Sequence, residues 1–153
     1  MGTRSPSSPP SAVVEMIRVT REDFSVDEAI AGLRSRSTGG IVSFLGAVRG
    51  ESKGKPVEHI EIEVYEEMAR AQLEAIRGEA VERFGVEDAA IVHRYGILKA
   101  SEKILLVAVA SAHRTEAFEA CRYVIDEIKR RVPIWKKEVT PGGEWWVEGE
   151  RFE

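Results

Sequence analysis

The pattern of apolar positions predicts strands and helices that alternate from about residue 16 onward. Short apolar runs typical of strands lie at 16–20, 41–48, 57–65, 89–98 and 103–110. Between and after these runs, apolar residues recur at spacings of three and four, which indicates helices with one buried face. Because helices alternate with strands and a hairpin-like strand pair also occurs, the sequence predicts an α+β or mixed α/β fold with helices packed on a sheet.

Local signals set the expected helix ends. Ser25 and Glu28 have the spacing of a capping box at the start of the first helix, and Gly85 is placed to end the second. For the third helix, Thr115 is the expected N-cap. Its expected buried stripe consists of Phe118, Cys121, Ile125, Ile128 and Val132.

The strand at 41–48 leads into a loop that two interpretations fit. Gly46 interrupts the apolar run and indicates a bulge or a close backbone approach. The strand ends by presenting Arg49 to the loop at 50–56, which holds two glycines, two lysines and little apolar content. This loop is either a solvated hairpin connection or a mobile flap over a ligand.

Length and composition favour one soluble globular domain. Residues 1–15 are expected to form a disordered tail, since 1–11 are rich in Pro and Ser, and residues 16–153 to form a single domain. The formal net charge of −4 argues against a nucleic-acid partner. No apolar run reaches the length of a membrane span and no signal peptide opens the chain, so no membrane association and a cytoplasmic location are expected.

Neither a metal site nor a bound cofactor is expected. The single cysteine, Cys121, excludes an intrachain disulfide, and its position on the apolar stripe predicts a buried thiol. The three histidines, His59, His93 and His113, lack the close spacing of a metal motif. The pair His93–Arg94 lies inside a predicted strand, where it either has no chemical role or belongs to a site.

The candidate chemistry is concentrated between Ser111 and Trp146. His113 and Arg114 stand at a strand-to-helix turn, and six basic residues lie between 122 and 137, which suits an anionic ligand. Lys129 falls at the border of the apolar stripe of the third helix. Two interpretations fit this position: an amine that transfers protons, or a lysine whose stem covers apolar surface while its charge reaches water.

At these spacings the chain resembles the catalytic (large) subunit of molybdopterin synthase. The resemblance runs from about residue 16 to 148 and rests on several segments in family order. These are IVSFLGAVR (41–49), EVYEEMA (63–69), HRYG (93–96), SAHR (111–114), Lys129, PIWKKE (133–138) and TP (140–141).

The resemblance implies a fold, a reaction and partners. The fold would be an α/β hammerhead with an added small antiparallel β subdomain. The reaction would convert cyclic pyranopterin monophosphate into molybdopterin by installing the two dithiolene sulfurs. The sulfur would come from a thiocarboxylate on the C-terminal Gly-Gly of a small ubiquitin-like sulfur-carrier subunit. Family members form a central homodimer with one small subunit at each end, a heterotetramer.

The resemblance also implies roles for particular residues. Lys129 would be the principal catalytic residue and Lys136 the second. The substrate-binding residues would be Phe44, Arg49, His113 and Arg114. Two departures from the family pattern concern other positions. Gly142 stands where an acidic residue is common, and Glu150, followed by Arg151, stands where relatives often carry an arginine.

A rival interpretation from the residues alone is a non-enzymatic module that binds an anionic metabolite or an acidic protein tail. It accounts for the basic residues but not for a lysine at the core border beside a Pro-x-Trp-Lys turn. An acyl- or phosphoryl-transfer enzyme is a second rival, but the sequence shows neither a nucleophile motif nor a metal motif for it.

Overall fold

The computed structural model describes residues 15–147, apart from the side chains of Trp145 and Val147. The expected tail up to residue 14, and positions 150 and 151, lie outside these residues. Within the described part the elements are β1 (Ile17–Thr20), α1 (Val26–Leu33), β2 (Gly40–Ala47), β3 (Glu51–Ser52), β4 (Lys55–Pro56), β5 (His59–Val64), α2 (Glu66–Phe84), β6 (Asp88–Arg94), β7 (Gly96–Lys99), β8 (Lys103–Ser111), α3 (Arg114–Arg131), β9 (Ile134–Thr140) and β10 (Gly143–Val147).

The first sheet has the strand order β1–β6–β8–β2. β1 is parallel to β6, whereas β8 pairs antiparallel with both β6 and β2. Alternate residues of β8 face opposite sides: Leu105 and Val107 join the main core with α2 and α3, and Leu106 packs in a second cluster with residues of α1. Helices therefore cover both faces of the central strands, which explains why β8 is apolar along nearly its whole length.

The second sheet is antiparallel throughout, with the order β10–β9–β5–β7. Ile60 and Ile62 of β5 turn inward and belong to the same core cluster as the first sheet. The predicted α+β class with an added antiparallel part is thus confirmed. The loop at 50–56 contains the short antiparallel hairpin β3–β4.

The prediction of one strand over 89–98 is wrong. The run divides at Tyr95 into β6, in the first sheet, and β7, in the second. The cause is Gly96, whose φ of +98° turns the chain out of the first sheet in a conformation that other residues rarely adopt. The guanidinium of Arg21 lies 4.7 Å from the centre of the Tyr95 ring and packs over this break.

Helix α3 differs from its prediction in two respects. The helix begins at Arg114 with His113 in the N-cap position, so Thr115 is not the cap. Phe118 is 62% exposed and does not belong to the buried stripe. The buried positions of the helix are Ala117, Ala120, Cys121, Val124 and Ile128. The predicted burial of Cys121 and Ile128 is thus confirmed, and Val132 is buried in the same core with Ile125 packed against it. The small side chains of Ala117 and Ala120 allow α3 to approach the sheet closely. With these alanines facing the sheet, Phe118 points away from it.

The other predicted helix ends are confirmed. The Ser25 hydroxyl accepts a hydrogen bond from the Glu28 backbone N–H at 3.1 Å, as an N-cap should. Gly85 ends α2 with a φ of +68°. The expected bulge is also present, since the pairing of β2 with β8 shifts register between Gly46 and Ala47.

No helix within residues 15–147 is long and apolar enough to cross a membrane. Among the same residues, no group of three or more His, Cys, Asp or Glu side chains is arranged to hold a metal ion.

Candidate active site

The predicted site residues divide between the two ends of α3. His113 is the N-cap of this helix and Lys129 lies in its last turn. At a rise of about 1.5 Å per residue, sixteen residues place them about 24 Å apart along the axis. The two side chains therefore cannot contact one small ligand within one copy of the chain.

The register of β8 and β2 shows which other residues accompany Lys129. The Cys121 thiol lies 3.9 Å from the Val107 carbonyl oxygen, so the middle of α3 lies over the middle of β8. Because α3 runs back along β8, Lys129 reaches the level where β8 begins. Ala47 pairs with Lys103 there, and Arg49 follows two residues later, exposed to solvent. Arg49 and Lys129 thus lie at the same end of the first sheet.

Lys136 is the least exposed of the predicted basic residues. It lies on β9, opposite Ile62 of β5 and Val147 of β10, and its exposed fraction is 5%. Burial of an ammonium group is costly, so a lysine is rarely retained in such a place without a role or a partner. Its neighbour Lys137 is less buried and bridges Glu61 at 3.4 Å and Glu144 at 3.3 Å.

His93 lies near Lys136, and the sequence alone did not decide whether it has a chemical role. It is 1% exposed, and its Nδ1 lies 2.9 Å from the Arg94 carbonyl oxygen, which indicates that Nδ1 carries the proton. Burial, with a smaller contribution from the charge of Lys136, lowers the pKa of His93 to about 4. The imidazole is therefore neutral at physiological pH and lies within electrostatic range of Lys136. The one sequence signal for this burial is the position of His93 inside the apolar run at 89–98.

Arg94, by contrast, has a structural role. Its guanidinium donates to the Glu102 carboxylate and to the Lys103 carbonyl, each at 3.1 Å, and to the Arg21 carbonyl at 3.1 Å. It therefore joins the β7–β8 connection to the segment after β1.

We use the name lysine cluster for Arg49, Lys129 and Lys136. His93 pairs with Leu105 near the start of β8, so Lys136, which interacts with His93, lies at the end of the sheet where Arg49 and Lys129 are found. Phe44 is half-buried opposite Val107, between the two ends of α3.

We use the name histidine–arginine turn for residues 111–114, at the other end of α3. His113 and Arg114 are both exposed, and the His113 backbone N–H donates to the Ser111 hydroxyl at 3.4 Å. The first backbone N–H groups of a helix and its dipole favour a negative charge at this place. Two basic side chains at such a terminus make the turn suited to an anionic group.

Most of the other basic residues of the segment 122–137 are held in ion pairs, so the local positive charge is smaller than the sequence suggests. Arg131 makes two contacts with the Glu79 carboxylate, at 2.6 and 2.9 Å, and also bridges Glu127. Together with the Tyr123 hydroxyl, this interaction lowers the pKa of Glu79 to about 2. Arg122 and Arg130 pair with acidic residues of their own helix. The Arg131–Glu79 pair joins α3 to α2, and the other pairs lie within α3. These arginines therefore serve structure rather than ligand recognition.

The predicted burial of Cys121 is confirmed. Its side chain is enclosed between α3 and β8, and burial raises the pKa of the thiol to about 11. A thiol with such a pKa is almost wholly protonated near neutral pH and is a poor nucleophile.

A cleft of about 660 Å³ lies elsewhere on the surface. It is lined by Arg18, Asp23, Phe24, Ser25, Val26, Asp27, Glu28 and Lys103, so it contains none of the six predicted site residues. Three of these residues are acidic and two are basic, so the cleft is not suited to an anion.

Comparison with known proteins identifies relatives over most of the chain. The sequence profile of the family described as MoaE protein matches residues 19–131. A molybdopterin synthase catalytic subunit of Pyrococcus abyssi is 55% identical over 130 residues, which cover 85% of this chain and 88% of that protein. A protein of the same description from Thermoplasma volcanium is 41% identical, with 83% of this chain and 93% of that protein covered.

The fold matches as well as the sequence. The crystal structure of molybdopterin synthase from Staphylococcus aureus superposes with a TM-score of 0.84 at 35% identity, and covers 88% of this chain and 98% of that one. Fold and site define a mixed α+β protein with basic residues at both ends of one helix and a nearly buried lysine on a strand. The chain belongs to the MoaE protein family. The matched residues 19–131 include five of the six predicted site residues, and Lys136 lies just beyond them.

Proposed function

We propose that this protein is the catalytic subunit of a molybdopterin synthase, a sulfurtransferase of molybdenum cofactor biosynthesis. Its substrate would be cyclic pyranopterin monophosphate and its product the dithiolene of molybdopterin. The observation that carries the proposal is the 55% identity with a catalytic subunit over 85% of the chain. At this level and coverage most of the chain is shared with that protein.

The lysine cluster is the proposed place of the chemistry. Sulfur addition requires protons to be moved to and from ring and leaving oxygens, and an amine held in fixed geometry can do this. Lys129 is half-buried at the edge of the core and Lys136 is almost fully buried, so packing restrains both side chains. Arg49, exposed at the same end of the sheet, would hold the phosphate.

We further propose that a second copy of the chain completes each site. His113 and Arg114 lie too far from Lys129 to act on the same substrate in one copy. The antiparallel pairing of β2 with β8 sets Gly40 beside Ser111 and Ala47 beside Lys103, so the two ends of β2 lie at the histidine–arginine turn and at the lysine cluster. A two-fold axis near the middle of β2 would exchange these ends and bring the turn of one copy to the lysine cluster of the other.

The surface of β2 supports such a homodimer. β2 is an edge strand of the first sheet, and β2 residues Ser43, Leu45 and Ala47 are exposed. Leu45 is a large apolar side chain with an exposed fraction of 45%. An uncovered edge strand with apolar side chains is suited to association with another copy.

The sulfur donor would come from a separate small subunit. The cysteine of this chain is buried with a raised pKa, so it does not offer a thiolate to carry sulfur. A small ubiquitin-like sulfur carrier would insert its C-terminal Gly-Gly thiocarboxylate next to Lys129. Two such subunits and two copies of this chain would form the heterotetramer.

The test is reconstitution with the full chain. The protein is incubated with the pyranopterin precursor and a thiocarboxylated small subunit, and molybdopterin formation is measured by fluorescence after oxidation. Product that depends on both additions supports the proposal. Binding of the precursor or the small subunit without any product would favour the alternative, a non-enzymatic module for an anionic metabolite or an acidic protein tail.

A further inference from the structure

Gly39 makes an unusually close backbone contact with the histidine–arginine turn. Its backbone N–H donates to the Ser111 carbonyl at 3.0 Å. A Cβ atom built on Gly39 would lie 2.0 Å from the Ala112 carbonyl oxygen and 3.0 Å from the Ala112 carbonyl carbon. Gly39 is not among the glycines with positive φ. The position therefore excludes other residues by lack of space and not by backbone conformation.

The segment before Gly39 is fastened on its other side. The hydroxyls of Ser35, Ser37 and Thr38 all donate to the Glu87 carboxylate, and the Ser37 bond measures 2.6 Å. These three bonds lower the pKa of Glu87, so the carboxylate stays ionised and the bonds stay charge-assisted. The Glu87 backbone N–H in turn donates to the Ala110 carbonyl at 2.8 Å, one residue before the turn. The loop at 35–38, which precedes Gly39, is therefore bound to Glu87. Glu87 is in turn bound to the strand residue just before the histidine–arginine turn.

We propose that Gly39 is a positioning residue that sets the place of His113 and Arg114. The ligand of these two residues, the anionic end of the pterin substrate, is taken from the proposed function. The positioning of the two residues does not depend on that function. Ala112 is covalently joined to His113, the N-cap of α3, so a shift of the Ala112 carbonyl moves the His113 backbone directly. Only a glycine leaves room for the carbonyl in its present place.

The size of the expected effect follows from the contact distance. A Cβ and a carbonyl oxygen need more than 3 Å, so an alanine at position 39 must displace the Ala112 carbonyl by about 1 Å. A misplacement of that size in a binding constellation can cost up to about a hundred-fold in activity. Because the turn holds substrate rather than transferring protons, we expect the loss mainly in KM and little in kcat.

The chain supplies a matched control one residue away. A Cβ on Gly40 would meet no atom within 4 Å, although Gly40 lies in the same segment and pairs with Ser111. Gly39→Ala and Gly40→Ala are compared in the reconstituted complex for KM and kcat, and in the free chain for precursor affinity by calorimetry. We expect Gly39→Ala to raise KM and the dissociation constant at least ten-fold, and Gly40→Ala to match the wild type within about two-fold.

A measurement on the chain alone separates this proposal from the proposed function. The amide signals of His113 and Arg114, followed by NMR, should shift in Gly39→Ala and remain in place in Gly40→Ala. If wild type forms no molybdopterin but these signals shift, the proposed function fails and the positioning role remains. Unshifted signals in Gly39→Ala, or an unchanged KM in an active complex, overturn the positioning role.

A second variant keeps the test decisive if Gly39→Ala does not fold. Glu87→Ala removes the acceptor of the three hydroxyl bonds without substituting Gly39 or any residue of the turn. We expect it to weaken precursor binding three- to ten-fold with the same amide signals displaced. Full precursor affinity and unmoved signals in a folded Glu87→Ala protein would then refute the role of this segment.

Discussion

His113 and Lys129 occupy opposite ends of α3, about 24 Å apart along the helix axis. The first is the exposed N-cap and the second lies in the last turn at the border of the core. Residues that the sequence groups into one short segment are thus separated by the length of a whole helix. If both act on one substrate molecule, they must come from two copies of the chain, and this has a direct experimental consequence.

Mixed dimers should recover activity that neither parent has. A dimer of one Lys129→Ala copy and one His113→Ala copy would contain one site with both defects and one site with none. At a precursor concentration well below KM, we expect about half of the wild-type activity from this mixed dimer, near-background activity from the Lys129→Ala homodimer and about a tenth or less from the His113→Ala homodimer. Differently tagged copies are co-expressed, purified through both tags and assayed with the small subunit. A mixed dimer as inactive as its parents would place both residues in one copy's site.

Lys129 should be essential for product formation. Lys129→Ala should lower kcat about 10²- to 10⁴-fold, the range for loss of a positioned proton-transferring group. Lys129→Arg should fail similarly, because a guanidinium does not release its proton near neutral pH. Lys137→Ala is the control, since that lysine is paired with Glu61 and Glu144. Substantial turnover in a folded Lys129→Ala protein that still binds the small subunit would rule out the proposed role.

His113 and Arg114 should act through substrate affinity. Each alanine variant should weaken precursor binding about ten-fold or more, as expected for loss of a charge-assisted hydrogen bond. Added salt should weaken wild-type binding, because the exposed charges are screened. Calorimetry at two ionic strengths measures both effects. Arg122→Ala is a control on the same helix, with a side chain 87% exposed and paired with Asp126. Equal affinities in all three variants would disprove this assignment.

Cys121 should be dispensable for sulfur transfer. Cys121→Ala should leave turnover within about two-fold of wild type and cost about 1 kcal/mol of unfolding free energy, since it deletes one buried atom. Removing the two terminal glycines of the small subunit should abolish product formation. Molybdopterin formation is measured for both changes, and urea unfolding is measured for Cys121→Ala. A stable Cys121→Ala protein without sulfur transfer would instead make this thiol the carrier.

Burial of His93 should make the fold sensitive to acid. The folded-state pKa is about 4, against an ordinary value of 6.5, so the unfolded chain binds the proton more readily between these pH values. The contribution of His93 to stability is therefore complete above pH 6.5 and declines as the pH falls toward 4. The decline amounts to about 3 kcal/mol at most. Urea unfolding at several pH values, compared with His93→Gln, measures it, and parallel pH profiles for the two proteins would contradict the expected burial effect.

The sequence predicted the features that depend on neighbours along the chain. The Ser25 cap, the stop at Gly85, the bulge near Gly46 and the burial of Cys121 each follow from local backbone or spacing, and all are present. The family resemblance also identified the fold class, because the segments that carry the resemblance follow one another in family order along the chain.

Other features were decided only by tertiary structure. Gly96 ends a strand that looks continuous, because the choice between two sheets depends on distant partners. Phe118 is exposed because the sheet accepts the alanine face of α3, a preference that spacing alone does not reveal. The division of the predicted site residues between two ends of a helix, and the contact of Gly39 with Ala112, arise from the antiparallel return of α3 and β2 along β8. Distances between residues far apart in sequence depend on packing, and packing is settled only when the whole chain folds.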